Sequence, residues 1–152
     1  MSSRNLALFA GLASAAMLLG AFAFQIIGGM APCHLCILQR WPHGLAFAVG
    51  LLAFLMPNRW LYLLGAALVL GGAGVALYHT GVEQQWWLGP TTCTSQSING
   101  LSSEALMSQI LNAPLVRCDE IAWSMFGLSM ASWNGIASLG IVGIWLAAFR
   151  KA

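Results

Sequence analysis

The chain has 152 residues, 59% of them hydrophobic and only 7% charged, with six Lys and Arg against four Asp and Glu. Soluble domains carry about 25% charge, so this chain cannot coat a water-facing surface, and its mean hydropathy of +0.79 assigns it to a membrane. A net charge of +2 without any basic run argues against nucleic acid as a partner.

At about 20 apolar residues per crossing, four spans would use roughly what the apolar fraction supplies. The expected fold is therefore all-α: a single-domain bundle of four transmembrane helices over residues 1–152. The first apolar run, about 6–30, is interrupted by Ser14, Gln25 and glycines, and would make about 37 Å of helix at ~1.5 Å per residue. A cleavable signal peptide is the rival reading, because Arg4 precedes the run and Ala21-Phe22-Ala23 resembles a cleavage site. Signal cores stop at about 7–15 apolar residues, whereas this run continues.

A short polar bend at about 31–36 contains Cys33 and Cys36. The second run, Leu45 to Met56, is long enough to span only if it reaches back to Ile37, giving about 37–56. Pro57-Asn58-Arg59 is a turn signal. The third span covers about 60–78, and its glycines and alanines from Gly65 to Gly74 permit close helix approach. The chain is then polar over about 79–124 and holds all four acidic residues. Within this loop Leu101, Ala105, Leu106, Ile110 and Leu111 recur at helical intervals, which predicts a short amphipathic helix. The fourth span, about 125–149, is closed by Arg150-Lys151.

Positive charge sets the orientation. Arg4, Arg59, Arg150 and Lys151 flank one side and Arg40 and Arg117 the other, so both termini are expected in the cytoplasm and the two other connections outside. Those connections hold all four cysteines, Cys33, Cys36, Cys93 and Cys118, which implies an oxidising compartment.

Cys33-His34-Leu35-Cys36 is a Cys-x-x-Cys pair at a membrane boundary. A c-type haem site would need His at position 37, which is Ile. A zinc site built from the four cysteines would be unlike a zinc ribbon, because Cys93 and Cys118 are widely spaced, so no metal is expected. Cys93 and Cys118 suit a disulfide staple, whereas a closely spaced pair gains little entropic stabilisation from closure and is the kind that exchanges electrons. Four cysteines allow three pairings. A thiolate gains from nearby positive charge, and Arg40 follows Cys36 by one helical turn, where it can also donate to an oxygen of a bound acceptor. His79 ends the third span at the same face and is a second candidate donor to a polar ligand. His34 is placed to tune the pair, and His43 is read as belonging to the helix start. Trp41, Trp86, Trp87, Trp123 and Trp133 are read as interfacial anchors. No phosphate loop or dinucleotide fingerprint is present, which leaves a small lipid-soluble oxidant as acceptor; a quinone dissolves in the bilayer and could reach a site between the second and third helices beside Cys36, Arg40 and His79.

Pro32-Cys33-His34-Leu35-Cys36-Ile37-Leu38-Gln39-Arg40, the Cys93 and Cys118 pair, Cys118-Asp119-Glu120, Gly127-Leu128-Ser129-Met130 and Trp133-Asn134 together resemble the disulfide bond formation protein B (DsbB) family. The resemblance covers essentially the whole chain. It implies a bacterial inner-membrane enzyme, a protein-disulfide:quinone oxidoreductase, which reoxidises a periplasmic thioredoxin-fold protein of the DsbA type and reduces ubiquinone or menaquinone. It implies a Cys93–Cys118 disulfide attacked by reduced DsbA, exchange of Cys118 with a Cys33–Cys36 disulfide, and passage of the electron pair from Cys36 to quinone held by Arg40 and His79. DsbA is a strong oxidant, at about −120 mV, so its acceptor must be stronger than glutathione. Acidic variants of the motif carry Glu where this chain has Gln39, so no carboxylate role falls there. A non-catalytic four-span scaffold stapled by two disulfides is the alternative.

Overall fold

A computed structural model describes residues 1–90, 102–111 and 116–152, without the side chains of residues 105, 106, 109 and 110. Four helices are long and apolar enough to cross a membrane: α1 (Ser3–Ile26), α2 (His34–Leu55), α3 (Arg59–Glu83) and α5 (Met130–Arg150). The remaining elements are the short helix α4 (Ser103–Leu111) and a two-stranded hairpin of β1 (Ser124–Met125) and β2 (Leu128–Ser129). Neighbouring packing runs α1 to α2 to α3 to α5, and α5 closes back on α1. The chain is thus a four-helix bundle of a multi-pass membrane protein.

Each long helix begins on a side chain that accepts a backbone N–H left over by the first turn. Ser2 accepts from Asn5, Asn58 from Trp60 and Ser129 from Ser132, while α2 is capped by a sulfur, Cys33 Sγ accepting from the Cys36 N–H. Small residues let the backbones meet where lipid gives no hydrophobic drive to association. Ala7, Ala10, Ala46 and Ala53 are fully buried between α1 and α2, and a Cβ added at Gly50 would stand 2.9 Å from Gly11 Cα. Tyr62, Val69 and Trp145 fill the interior between α3 and α5. Large apolar side chains such as Leu12, Leu51, Leu70 and Leu139 point outward, as they must when the surrounding solvent is hydrocarbon.

Several helix ends differ from the sequence expectation. Helix α2 starts at His34 rather than 37, because Cys33 caps it. Helix α3 runs past 78 to Glu83, so His79 lies inside its last turn rather than in a loop. Helix α1 stops at Ile26, ahead of Gly29, whose φ of 65° lies outside the helical region. Helix α5 starts at Met130 rather than near 125, because the chain first makes the hairpin. Phe126 and Gly127 take φ of 53° and 75° at its tip, the two left-handed positions of a tight hairpin turn, and Ser129 then caps the helix. Helix α4 forms where the amphipathic periodicity lies, with Met107 and Leu111 exposed.

Candidate functional site

The N-terminal cap of α2 and the last turn of α3 bring two thiols and an imidazole together. Cys33 Sγ lies 2.8 Å from Cys36 Sγ and 3.6 Å from His79 Nε2. As the cap, Cys33 sits at the positive end of the helix dipole and receives the Cys36 N–H at 3.2 Å. The hydrogen bond it shares with the Cys36 sulfur, followed by burial, nevertheless holds the Cys33 thiol above the ordinary thiol range. Both cysteines are free thiols, whereas Cys118 is disulfide-bonded. Cys118 is fully buried in one apolar cluster with Cys33, Leu35 and Val82, with Cys36 and Val116 packed against it. Its backbone also hydrogen-bonds the His79 ring. Cys93 lies outside the described residues.

The orientation of His79 is set by a chain of buried amides. Gln39 Nε2 donates to His79 Nδ1 at 2.8 Å, Asn134 Nδ2 donates to Gln39 Oε1 at 2.5 Å, and His43 Nε2 donates to Asn134 Oδ1 at 3.1 Å. Because an amide has one donor end and one acceptor end, these partners are consistent in one direction. Nδ1 accepts, so Nε2 carries the hydrogen and points it at Cys33 and at Glu83, whose Oε1 is 3.8 Å away. Glu83 in turn accepts from the Ser129 hydroxyl. His79 is therefore tied to α2 and to Cys33, and not to Cys36.

A cavity of about 570 Å³ opens beside Cys36. Its walls come mainly from α1, α2, α5 and residues 116–125, with α3 contributing His79 and Glu83. The space expected between the second and third helices is thus displaced toward the first and last. Met17, Phe24, Met30, Trp123 and Ala137 give it an apolar lining, and its polar groups include Gln25, Gln39, Arg40 and Asn134. Arg40 crosses to α1, where Nη1 donates to Gln25 Oε1 at 2.7 Å and the guanidinium lies 4.9 Å over the Phe22 ring.

The structure thus gathers Cys33, Cys36, Cys118, Arg40 and His79 at one end of the bundle. His34 instead faces outward and His43 is buried on Asn134. Trp41, Trp86 and Trp87 are exposed, but Trp123 packs on Phe24 at 5.3 Å and, with Trp133, lines the cavity. Gln25, Gln39, Glu83 and Asn134 were not singled out by the sequence reading as site residues. The available signal was their polarity inside or at the edge of apolar runs, where an uncompensated polar group is costly.

The family profile described as "Disulfide bond formation protein DsbB" matches residues 3–148. A disulfide bond formation protein B of Methylococcus capsulatus is 33% identical, covering 92% of this chain and 90% of its own. Proteins of the same description from Dechloromonas aromatica and Albidiferax ferrireducens are 35% and 28% identical, covering 79% and 99% of this chain and 76% and 92% of theirs. No solved structure matches.

Proposed function

We propose, since this chain belongs to the DsbB family of disulfide bond formation proteins, that it oxidises a periplasmic dithiol protein of the DsbA type and delivers the electrons to a membrane quinone. The observation that carries the reading is the burial of the disulfide-bonded Cys118 in one cluster with the Cys33 and Cys36 thiols. Thiol–disulfide exchange needs the attacking sulfur to reach the attacked one, and here packing supplies that proximity.

In the proposed sequence, reduced client attacks a Cys93–Cys118 disulfide at Cys93 and forms a mixed disulfide, releasing Cys118 as a thiolate. The client's second thiolate then attacks the client sulfur of that mixed disulfide, closing the client's own disulfide and releasing Cys93. Cys118 attacks Cys33 of a Cys33–Cys36 disulfide, breaking that S–S bond and freeing Cys36, which lines the cavity; Cys93 then attacks Cys118 of the Cys118–Cys33 bond, re-forming Cys93–Cys118 and leaving the electron pair on Cys33 and Cys36. The His79 Nε2–H faces Cys33 and supports negative charge there as bonds exchange.

The cavity fits a quinone headgroup in size and character. Ligand pockets span about 300–1,000 Å³ and combine apolar walls with few polar groups, as this one does. A bound quinone would supply a two-electron, two-proton acceptor, of either the ubiquinone or the menaquinone class. Arg40 and Gln25 would hold its oxygen, with the Arg40 hydrogen bond turning from Gln25 to the ligand, while His79 would assist from α3. In this reading both termini lie in the cytoplasm and the cysteine end in the periplasm of a bacterial inner membrane, an orientation that the distribution of positive charge supports.

The test is anaerobic turnover of reduced DsbA by the purified protein with ubiquinone or menaquinone, followed by quinone absorbance. Cys36→Ser should reduce turnover below detection while the four-span fold persists by circular dichroism. Normal turnover in Cys36→Ser overturns the proposed route through Cys36, and a lack of any turnover in the unmutated protein with both quinones overturns the proposal in favour of a stapled scaffold.

A further inference from the structure

The sulfurs of Cys33 and Cys36 and Nε2 of His79 lie within 4.8 Å of one another. The carboxyl of Glu83, itself only 6% exposed, stands 3.8 Å from that nitrogen. We propose that the dithiol form of this centre binds a soft divalent cation of the zinc and cadmium class through Cys33, Cys36 and His79, with Glu83 completing the ligand set.

Two thiolates and an imidazole make the Cys₂His set, and a tetrahedral ion with bonds of about 2.3 Å to sulfur and 2.0 Å to nitrogen spaces its ligands roughly 3.4–3.8 Å apart. Two edges of that polyhedron are nearly in place: 3.6 Å from Cys33 to His79 and 3.8 Å from His79 to Glu83. The sulfur pair, at 2.8 Å, must open by about 1 Å to reach the tetrahedral spacing. Cys36 has the space for that movement because it borders the cavity. Binding releases the two thiol protons and requires the lone pair of Nε2, so the ring hydrogen shifts to Nδ1 and the Gln39 amide turns over to accept it. That is the outer-shell partner metal-bound histidines use. The same reversal passes through Asn134 and ends on His43 Nδ1, which has no partner among the described residues. The unpaired His43 donor and the Cys118 backbone group that the His79 ring releases are opposing costs, set against two metal–thiolate bonds.

Bound metal would hold both thiols apart and block their closure to a disulfide. The oxidised pair offers no thiolate and would be immune, so inhibition would track the redox state. This inference requires only the free dithiol and His79, and is independent of which molecule accepts electrons.

The experiment uses the full-length chain with Cys93→Ala and Cys118→Ala, so that no other thiol competes. The protein is reduced, freed of reductant and titrated with Cd²⁺, following thiolate-to-cadmium charge-transfer absorbance and metal content after desalting. One Cd²⁺ per reduced chain and none per oxidised chain is expected, with His79→Ala at least 10-fold weaker and Gln39→Leu about 10-fold weaker. Equal affinity in His79→Ala, or retention by the oxidised chain, overturns the site. Co²⁺ on the same background without the His79 change gives a check independent of that variant's folding. Ligand-field bands of a tetrahedral sulfur–nitrogen centre support the proposal, and octahedral bands sink it.

Discussion

At the end of the bundle near Arg4, Arg59 and Arg150, α1 and α2 touch through Ala7, Gly11, Gly50 and Ala53, and α3 and α5 through Tyr62 and Trp145. Arg4 donates to the Phe54 carbonyl at 3.0 Å and Arg59 lies over the Phe149 ring, both at the rim. At the cysteine end, the same helices enclose a cavity and are joined by hydrogen bonds among Gln25, Gln39, Arg40, His43, His79 and Asn134. Small apolar faces specify how near two helices come, but they tolerate sliding and leave no reactive group in a defined state. A chain of amides fixes which atom of His79 carries hydrogen, and therefore what faces Cys33. The first device assembles the bundle and the second prepares chemistry in it.

The sharpest separation between the ends should come from their arginines. Arg40→Ala removes a charged donor from the cavity wall, and hydrogen bonds to charged groups are worth about 1.5–3 kcal/mol. It should raise the KM for quinone about 10- to 100-fold, whereas Arg4→Ala should leave that KM within a factor of about two. Equal effects of the two variants would show that Arg40 acts only by anchoring α2 to α1. The buried polar groups allow a second contrast. Asn134→Leu strips partners from Gln39 and His43, at about 1–3 kcal/mol for groups left unpaired, and should lower both Tm and turnover. Ser14, also buried, has no hydrogen-bond partner for its hydroxyl among the described residues, so Ser14→Ala should be neutral or slightly stabilising by the same thermal measurement.

The packed end can be probed by adding single methyl groups. At Gly50 the new Cβ meets the Gly11 backbone at 2.9 Å and Ala7 O at 3.1 Å, whereas at Gly71 nothing lies within 4 Å. Gly50→Ala should cost about 1–3 kcal/mol through overpacking. Gly71→Ala should gain up to about 1 kcal/mol from helix propensity. Thermal unfolding in detergent separates them, and similar Tm values would mean that α1 and α2 adjust freely.

How far each end was legible follows from the range of its interactions. Apolar runs, turn residues and positive charges are local signals, and they locate four spans and predict the cysteines at one end, where Cys33, Cys36 and Cys118 lie. The Cys-x-x-Cys pair and Arg40 were visible for the same reason. Gln39 meets His79 and Asn134 across 40 and 95 positions, and no periodicity encodes such a meeting. Helical spacing sets Arg40 one turn from Cys36, but its hydrogen bond to Gln25 on α1 joins two helices, which spacing within one helix does not encode. The apolar pattern ends α3 near position 78 and leaves Glu83 as one more loop acid, whereas the helix runs a turn further and makes it a neighbour of His79.

The smallest expected effect lies at the rim of the polar end, where Arg117 forks onto Asp119 through Nε at 3.0 Å and Nη2 at 2.7 Å, beside the disulfide-bonded Cys118. The Arg117 hydrogen bonds hold the Asp119 carboxyl below the usual carboxylate range. A depressed carboxylate contributes stability that is present above its unfolded value, about 3.9, and is lost as pH falls through the lowered folded value. Arg117 is 37% exposed, so solvent screening limits the pair to about 0.2–1 kcal/mol. Asp119→Asn should therefore speed amide hydrogen exchange around residues 116–120 up to about fivefold at neutral pH and low salt. The difference from the unmutated chain should shrink at 1 M salt, where charges are screened beyond about 3 Å, and disappear in acid as Asp119 takes up its proton. A difference that persisted in acid would assign the effect to the shape of the side chain instead of its charge, and the rim would then belong with the packed end.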